Sequence, residues 1–140
     1  MPGPDADPPF LSVVIPVRNG AEKIGDTIDS VLAAEEPPGG REILVVDNGS
    51  TDATSGVIRS RPVTYLHEPR RGVSSARNRG IGAARGEVIA FIDGDCIASP
   101  QWLTELAAPF ADREVGCVAG ELGHAPAATS AERQATRMFG

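Results

Sequence analysis

The sequence predicts an α/β domain on a mainly parallel sheet, and three observations carry that expectation. Short apolar runs of strand length alternate with segments whose apolar residues recur at helical spacing. The spacing of these segments suits parallel strands joined by right-handed crossovers. Polar and charged residues collect directly after the apolar runs, at Arg18-Asn19, Asp47-Asn48 and Asp93-Gly94-Asp95. In an open parallel sheet that edge, outside the carboxyl ends of the strands, is where ligands sit.

Phe10 to Val17, F-L-S-V-V-I-P-V, is a nearly continuous apolar run, the pattern of a strand covered on both faces. Asn19 and Gly20 turn the chain, and Ile24, Ile28, Val31 and Leu32 then form one helical stripe. Pro37-Pro38-Gly39-Gly40 stops that helix. Ile43 to Val46 is a second buried strand closing on D-N-G-S-T-D, where Ser50 or Thr51 is placed to cap a short helix through Ile58. Val63 to His67 reads as a third strand. A helix from about Ser74 to Ala84 leads to a fourth, Val88 to Ile92, which delivers the chain to Asp93. Pro100 opens a helix through about Phe110, and Val115 to Val118 offers a fifth strand. The Pro-rich, acidic residues 1–9 read as a flexible leader, residues 10–122 as the folded domain, and residues 123–140 as a weakly periodic tail.

At 140 residues the chain is one domain at most, large enough for a core but small for a complete enzyme with two substrates. A formal net charge of -6 argues against a nucleic-acid binder relying on phosphate attraction. Seven of the thirteen basic residues, all arginines, fall between Arg59 and Arg85, a local stretch able to receive an anion. Cys96 and Cys117 have no metal-type spacing and read as buried free thiols. The first residues lack the basic start and apolar core of a signal peptide, and no apolar run approaches the roughly 20 residues of a membrane span. The expectation is a soluble, cytoplasmic chain without a transmembrane segment; peripheral placement at the inner membrane face, beside a membrane protein, stays open.

Asp93 and Asp95, separated by one glycine, repel each other, so the pair costs stability unless a cation or a shared proton relieves it. A strand ending in two carboxylates suits a hard divalent cation with oxygen ligands, Mg²⁺ or Mn²⁺. A bare Asp-Gly turn is the alternative, and Asp47 in V-V-D-N-G-S-T-D can likewise serve only an Asx turn and a helix cap. Carboxylates recurring at one sheet edge beside arginines favour a site for a metal and an anion. The run Gly80 to Gly86, G-I-G-A-A-R-G, precedes a strand instead of following the first one, so it reads as close helix packing and a helix stop, not a dinucleotide fingerprint. There is no G-K-S or G-K-T phosphate loop and no Ca²⁺ loop. His67 and His124 read as ordinary polar residues.

The order V-V-I-P-V-R-N-G, I-L-V-V-D-N-G-S-T-D, G-V-S-S-A-R-N-R-G-I-G-A-A-R-G-E, F-I-D-G-D-C and P-Q-W-L resembles the donor-binding half of a family 2 glycosyltransferase of the GT-A fold, from about Phe10 to Gly120. The resemblance implies a Rossmann-like, mainly parallel sheet with flanking helices, a nucleotide-diphosphate-sugar donor, a divalent metal and inversion at the anomeric carbon. It implies that Asp47 bonds the nucleotide base and that Pro16, Val17, Arg18 and Asn19 line the nucleotide pocket. Asp93 and Asp95 match the D-x-D pair around Gly94, with Asp95 nearer the metal and Asp93 nearer the ribose or a metal-bound water. Arg77 and Asn78 match the A-R-N segment, preceded by Arg70 or Arg71 as a base or phosphate contact. Arg18 stands where many relatives carry an aromatic residue, so base stacking there would use a guanidinium plane.

The acceptor, whether glycan, lipid or small molecule, is not legible. Relatives carry an acceptor-side half with the catalytic base, so the base is expected beyond Gly140, the chain reads as truncated before that half, and Glu121 is not assigned the role. A binding module without turnover is the main alternative. A haloacid-dehalogenase-type phosphotransferase using Asp93 and Asp95 fits less well, because Lys23, the only lysine, lies far upstream.

Overall fold

The computed structural model describes residues 7–112 together with Gly116. The expected fifth strand at 115–118, the tail from 123, Cys117, Glu121, His124 and most of the leader lie outside the described residues. Four strands, β1 (Leu11–Val17), β2 (Arg41–Asp47), β3 (Thr64–His67) and β4 (Val88–Phe91), form one sheet in the order β3-β2-β1-β4. Every neighbouring pair is parallel. Between and after them run α1 (Ile24–Ala33), α2 (Thr54–Arg59), α3 (Val73–Ala83) and α4 (Trp102–Ala107), the last extended by a 3-10 turn at Ala108–Ala111.

All seven residues of β1 are buried, as its uninterrupted apolar sequence requires. Leu11, Val13, Ile15 and Val17 face one core, with Ile24, Ile28 and Val31 of α1, Ile58 of α2 and Leu103 of α4. Val14 faces the other, smaller core with Leu44, Val46 and Ala76 of α3. Alternation along the strand therefore assigns α1, α2 and α4 to one side of the sheet and α3 to the other. The helix α3 approaches closely because Gly80 sits on Val14, where any Cβ would collide with the valine side chain. At Gly86 a Cβ would come within 2.7 Å of the Phe10 carbonyl oxygen and the Ser12 N. Close packing at the first of these glycines and the helix end at Ala83 match the reading of the glycine run.

Pro16 lies inside a central strand, normally an unfavourable place for a residue without an N–H. Val14 O accepts from Ile92 N and Val17 O accepts from Asn48 N, so by alternation Pro16 faces the β4 side. The β1–β4 ladder already ends at Val14–Phe91, and no ladder bond is lost. At the start of α2 the structure corrects the expected cap. Ser50 and Thr51 are engaged elsewhere, and the Thr54 N–H donates to the Asp52 side chain at 3.0 Å. No helix among the described residues is long and apolar enough to cross a membrane.

Candidate functional site

The strand order reverses direction at β1, with β2 on one side and β4 on the other. This is the switch point of the sheet, where connections leave to opposite sides and a crevice forms at the carboxyl ends. An open cleft of about 810 Å³ occupies the position. Residues 16–23, from the end of β1 into the turn before α1, form one wall, with Asp52, Val73 and Arg77 around it and Asp93, Gly94 and Asp95 beside β4.

Local packing explains the D-G-D segment. Gly94 is buried, and a Cβ there would lie 2.9 Å from Val17 Cβ and 3.2 Å from Ile24 Cδ1. Only glycine fits, and seating it inward leaves Asp93 and Asp95 exposed on either side. The Gly94 carbonyl accepts from the Thr27 hydroxyl at 3.0 Å, and Ala98 N donates to Ser30 Oγ at 2.9 Å, so two residues of α1 hold the turn. Cys96 turns back into the core, and its Sγ donates to Asp95 Oδ1 at 3.4 Å. Burial, then the charge of Asp95, pushes the Cys96 thiol up to about 12. One donor atom each from Asp93, Asp95 and Cys96 lie within 4.8 Å of one another. With the thiol protonated, the open donors are carboxylate oxygens, a set that fits a hard divalent cation.

Arg77 reaches the same place from the second turn of α3. Its Nη2 is 3.6 Å from Asp93 Oδ1, and its guanidinium lies 5.8 Å from the centre of the Phe91 ring. Its buried Nε makes no hydrogen bond among the described residues. A cation so placed serves an anion in the cleft as well as Asp93.

The opposite wall is locked by its neighbour. Asn19 adopts φ 51°, a left-handed conformation that asparagine tolerates better than most residues. Its N–H donates to Ser50 Oγ at 2.8 Å, and its Oδ1 accepts from Thr51 N at 2.7 Å. Gly20 N donates to Thr54 Oγ1 at 3.0 Å, and Ala21 N to Asp52 Oδ2 at 3.3 Å. These bonds engage the N–H groups of Asn19, Gly20 and Ala21 within the protein.

Asp47 ends β2, in register with Val17 and 3% exposed. Its Oδ1 accepts from Ser50 N at 2.9 Å and its Oδ2 from the Tyr65 hydroxyl at 2.8 Å. Burial pushes Asp47 up, but the hydrogen bonds from Ser50 and Tyr65 outweigh it and hold the carboxyl below its ordinary value. Next to it, Asn48 Nδ2 donates to the carbonyls of Glu68 and Arg70 at 2.9 and 2.7 Å, and Oδ1 accepts from Gly72 N at 3.0 Å. The buried Asn48 thus pins the connection that carries Arg70 and Arg71.

The cleft brings together Pro16, Val17, Arg18, Asn19, Arg77, Asp93, Gly94 and Asp95. Asp47, Arg70, Arg71 and Asn78 do not line it: Asp47 lies one strand over, and the other three are exposed on the connection after β3 and on α3. Sequence reasoning missed Lys23, Asp52 and Val73 in the lining. It also missed Thr27, whose signal was available: a polar residue inside the apolar stripe of α1 is buried and needs a partner.

The family model described as Glycosyl transferase family 2 matches residues 12–139. Glycosyltransferase AglE of Haloferax volcanii is 37% identical over 133 residues, covering 89% of this chain and 44% of that protein. Mannosyltransferase PcManGT from Pyrobaculum calidifontis, solved in complex with GDP-Man and Mn²⁺, superposes with a TM-score of 0.76 at 29% identity, over 86% of this chain and 37% of its own. Glucosyl-3-phosphoglycerate synthase from Mycobacterium tuberculosis, solved with Mn²⁺, UDP and glucosyl-3-phosphoglycerate, superposes with a TM-score of 0.64 at 27% identity, over 74% of this chain and 40% of its own. The chain therefore spans less than half the length of each of these three proteins. A parallel sheet with helices on both faces, shared with GT-A glycosyltransferases, and a family match that runs from β1 past the D-G-D turn lead to one assignment: the chain belongs to glycosyl transferase family 2.

Proposed function

We propose that the cleft binds a nucleotide-diphosphate-sugar donor with Mg²⁺ or Mn²⁺, as the donor side of an inverting glycosyltransferase. The observation that carries this reading is the exposure of Asp93 and Asp95 on the cleft that Arg77 also lines. The metal and nucleotide ligands of PcManGT and of the glucosyl synthase support it.

In this reading Asp95, with Asp93, holds the cation, and Arg77 and Arg71 contact phosphate oxygens. A bound divalent cation neutralises the diphosphate and stabilises it as a leaving group. Pro16 to Asn19 flank the nucleoside, with the Arg18 guanidinium plane available to a base. Each oxygen of Asp47 keeps a lone pair beyond the bonds it already accepts, so the carboxylate can receive a donor on the base edge. Asp93 and Asp95 sit on the leaving-group side and do not serve as the base toward the acceptor hydroxyl, which inversion requires on the opposite face. The acceptor is a hydroxyl of a glycan, a lipid or a small molecule.

A thermal-shift series with UDP, GDP, CDP and ADP, each with and without Mn²⁺, tests the proposal. A ligand selective for the folded state raises the melting temperature. At least one nucleoside diphosphate should do so in a metal-dependent way, and no shift with any of the four would defeat the reading.

A further inference from the structure

Tyr65 pairs with Val45 across the β2–β3 ladder, while Asp47 pairs with His67. Val45 and Asp47 point to the same face of β2, so the phenol reaches diagonally along that face to the carboxylate. Its hydroxyl donates to Asp47 Oδ2 at 2.8 Å, and the Arg59 guanidinium stacks 4.4 Å from the ring centre. Neither Tyr65 nor Arg59 lines the cleft.

We propose that Tyr65 is the positioning residue that fixes the plane of Asp47 and thereby sets which base the donor carries; this rests on the donor-binding reading above. With Ser50 N on Oδ1 alone, the carboxylate could still rotate about its last torsion, which is broad for aspartate. The phenol on Oδ2 removes that freedom, and the Arg59 stack holds the phenol. What remains open on Asp47 are acceptor positions only. A base presenting a ring N–H on its pairing edge, as uracil and guanine do, meets a fixed acceptor. A base presenting a lone pair there, as cytosine and adenine do, meets repulsion. The selected donor class is thus a uridine, thymidine or guanosine diphosphate sugar, and the selectivity depends on a hydroxyl that never touches the nucleotide.

The test is calorimetry of the full chain in Mn²⁺ with UDP, GDP, CDP, ADP and pyrophosphate, for wild type, Tyr65→Phe and Asp47→Asn. Tyr65→Phe keeps the ring and its arginine stack. It should weaken the preferred nucleoside diphosphate about 3- to 10-fold, the loss of one hydrogen bond, and compress the preference over CDP and ADP. Pyrophosphate, which engages only the metal and arginine end, should bind unchanged. Wild-type affinity and ranking in Tyr65→Phe, with Asp47→Asn impaired, would overturn the role of Tyr65 alone. Equal losses for nucleotides and pyrophosphate would do the same, because they would mark a merely structural role. An unimpaired Asp47→Asn would remove base reading by Asp47 itself, and a wild type that binds none of the nucleotides would remove the donor-binding reading with it.

Discussion

The Thr27 hydroxyl donates to the Gly94 carbonyl at 3.0 Å, joining the middle of α1 to the turn that carries both exposed carboxylates. Both residues are buried, so water does not replace the bond if it is lost. Leaving a buried carbonyl without a partner costs about 1–3 kcal/mol. Thr27→Val, of nearly the same shape, should lower the unfolding free energy by about that amount in urea titration. It should also weaken Mn²⁺-dependent nucleotide binding, and Thr27→Ser should restore both.

Asp95→Asn separates the metal from the fold. Removing one of two repelling charges on an exposed turn should leave the melting temperature of the free chain equal or higher. Metal-dependent nucleotide affinity, read by calorimetry, should fall at least tenfold. An unchanged affinity would show that the cation is held elsewhere.

Asn48 is the clamp for the connection before α3. Asn48→Ala strands the two carbonyls and the one N–H that the amide now satisfies. The expected outcome is a loss of about 1 kcal/mol in stability, the net worth of hydrogen bonds whose partners water can reach. Faster amide exchange at Gly72, and cleavage after Arg70 or Arg71 by trypsin at lower enzyme concentration, would report the local loosening.

Acid should destabilise the fold through Glu42 and Asp47. Burial pushes each carboxyl up, but hydrogen bonds from Ser12 and Arg85 at Glu42, and from Ser50 and Tyr65 at Asp47, hold both below their ordinary values. As pH falls, the unfolded chain therefore takes up these protons first. The stabilisation is present above the ordinary carboxylate values near about 4 and is lost as pH drops through the lower folded values. Urea midpoints should lose nothing to these two groups between pH 8 and about 5, then decline, and Glu42→Gln should make the decline shallower. At the alkaline end the raised Cys96 thiol acts in the other sense: its contribution is complete below the ordinary thiol range and is lost as pH rises toward about 12.

The four strands and their connecting helices were legible because each buries a contiguous apolar run or one stripe, a property of neighbouring residues. The D-G-D turn was legible for the same local reason. The start of α2 was not: Asn19, 31 and 32 positions away in sequence, claims Ser50 and Thr51, and the helix begins after Ala53 without a side-chain cap. Lys23 and Asp52 join the lining through the pairing of two connections, and Tyr65 reaches Asp47 only through strand register. Asp47 stays out of the lining because its carboxylate is buried against Ser50 N and the Tyr65 hydroxyl, contacts that no local pattern announces.

The bonds between residues 19–21 and residues 50–54 also bear on how such chains diversify. Two segments that complete each other's polar groups form one structural unit, although about thirty positions separate them. Grafting only the P-V-R-N-G segment from a relative would confront foreign side chains with donors and acceptors shaped for other partners. Chimaeras that exchange both segments together should express and melt like the parent, whereas single exchanges should not.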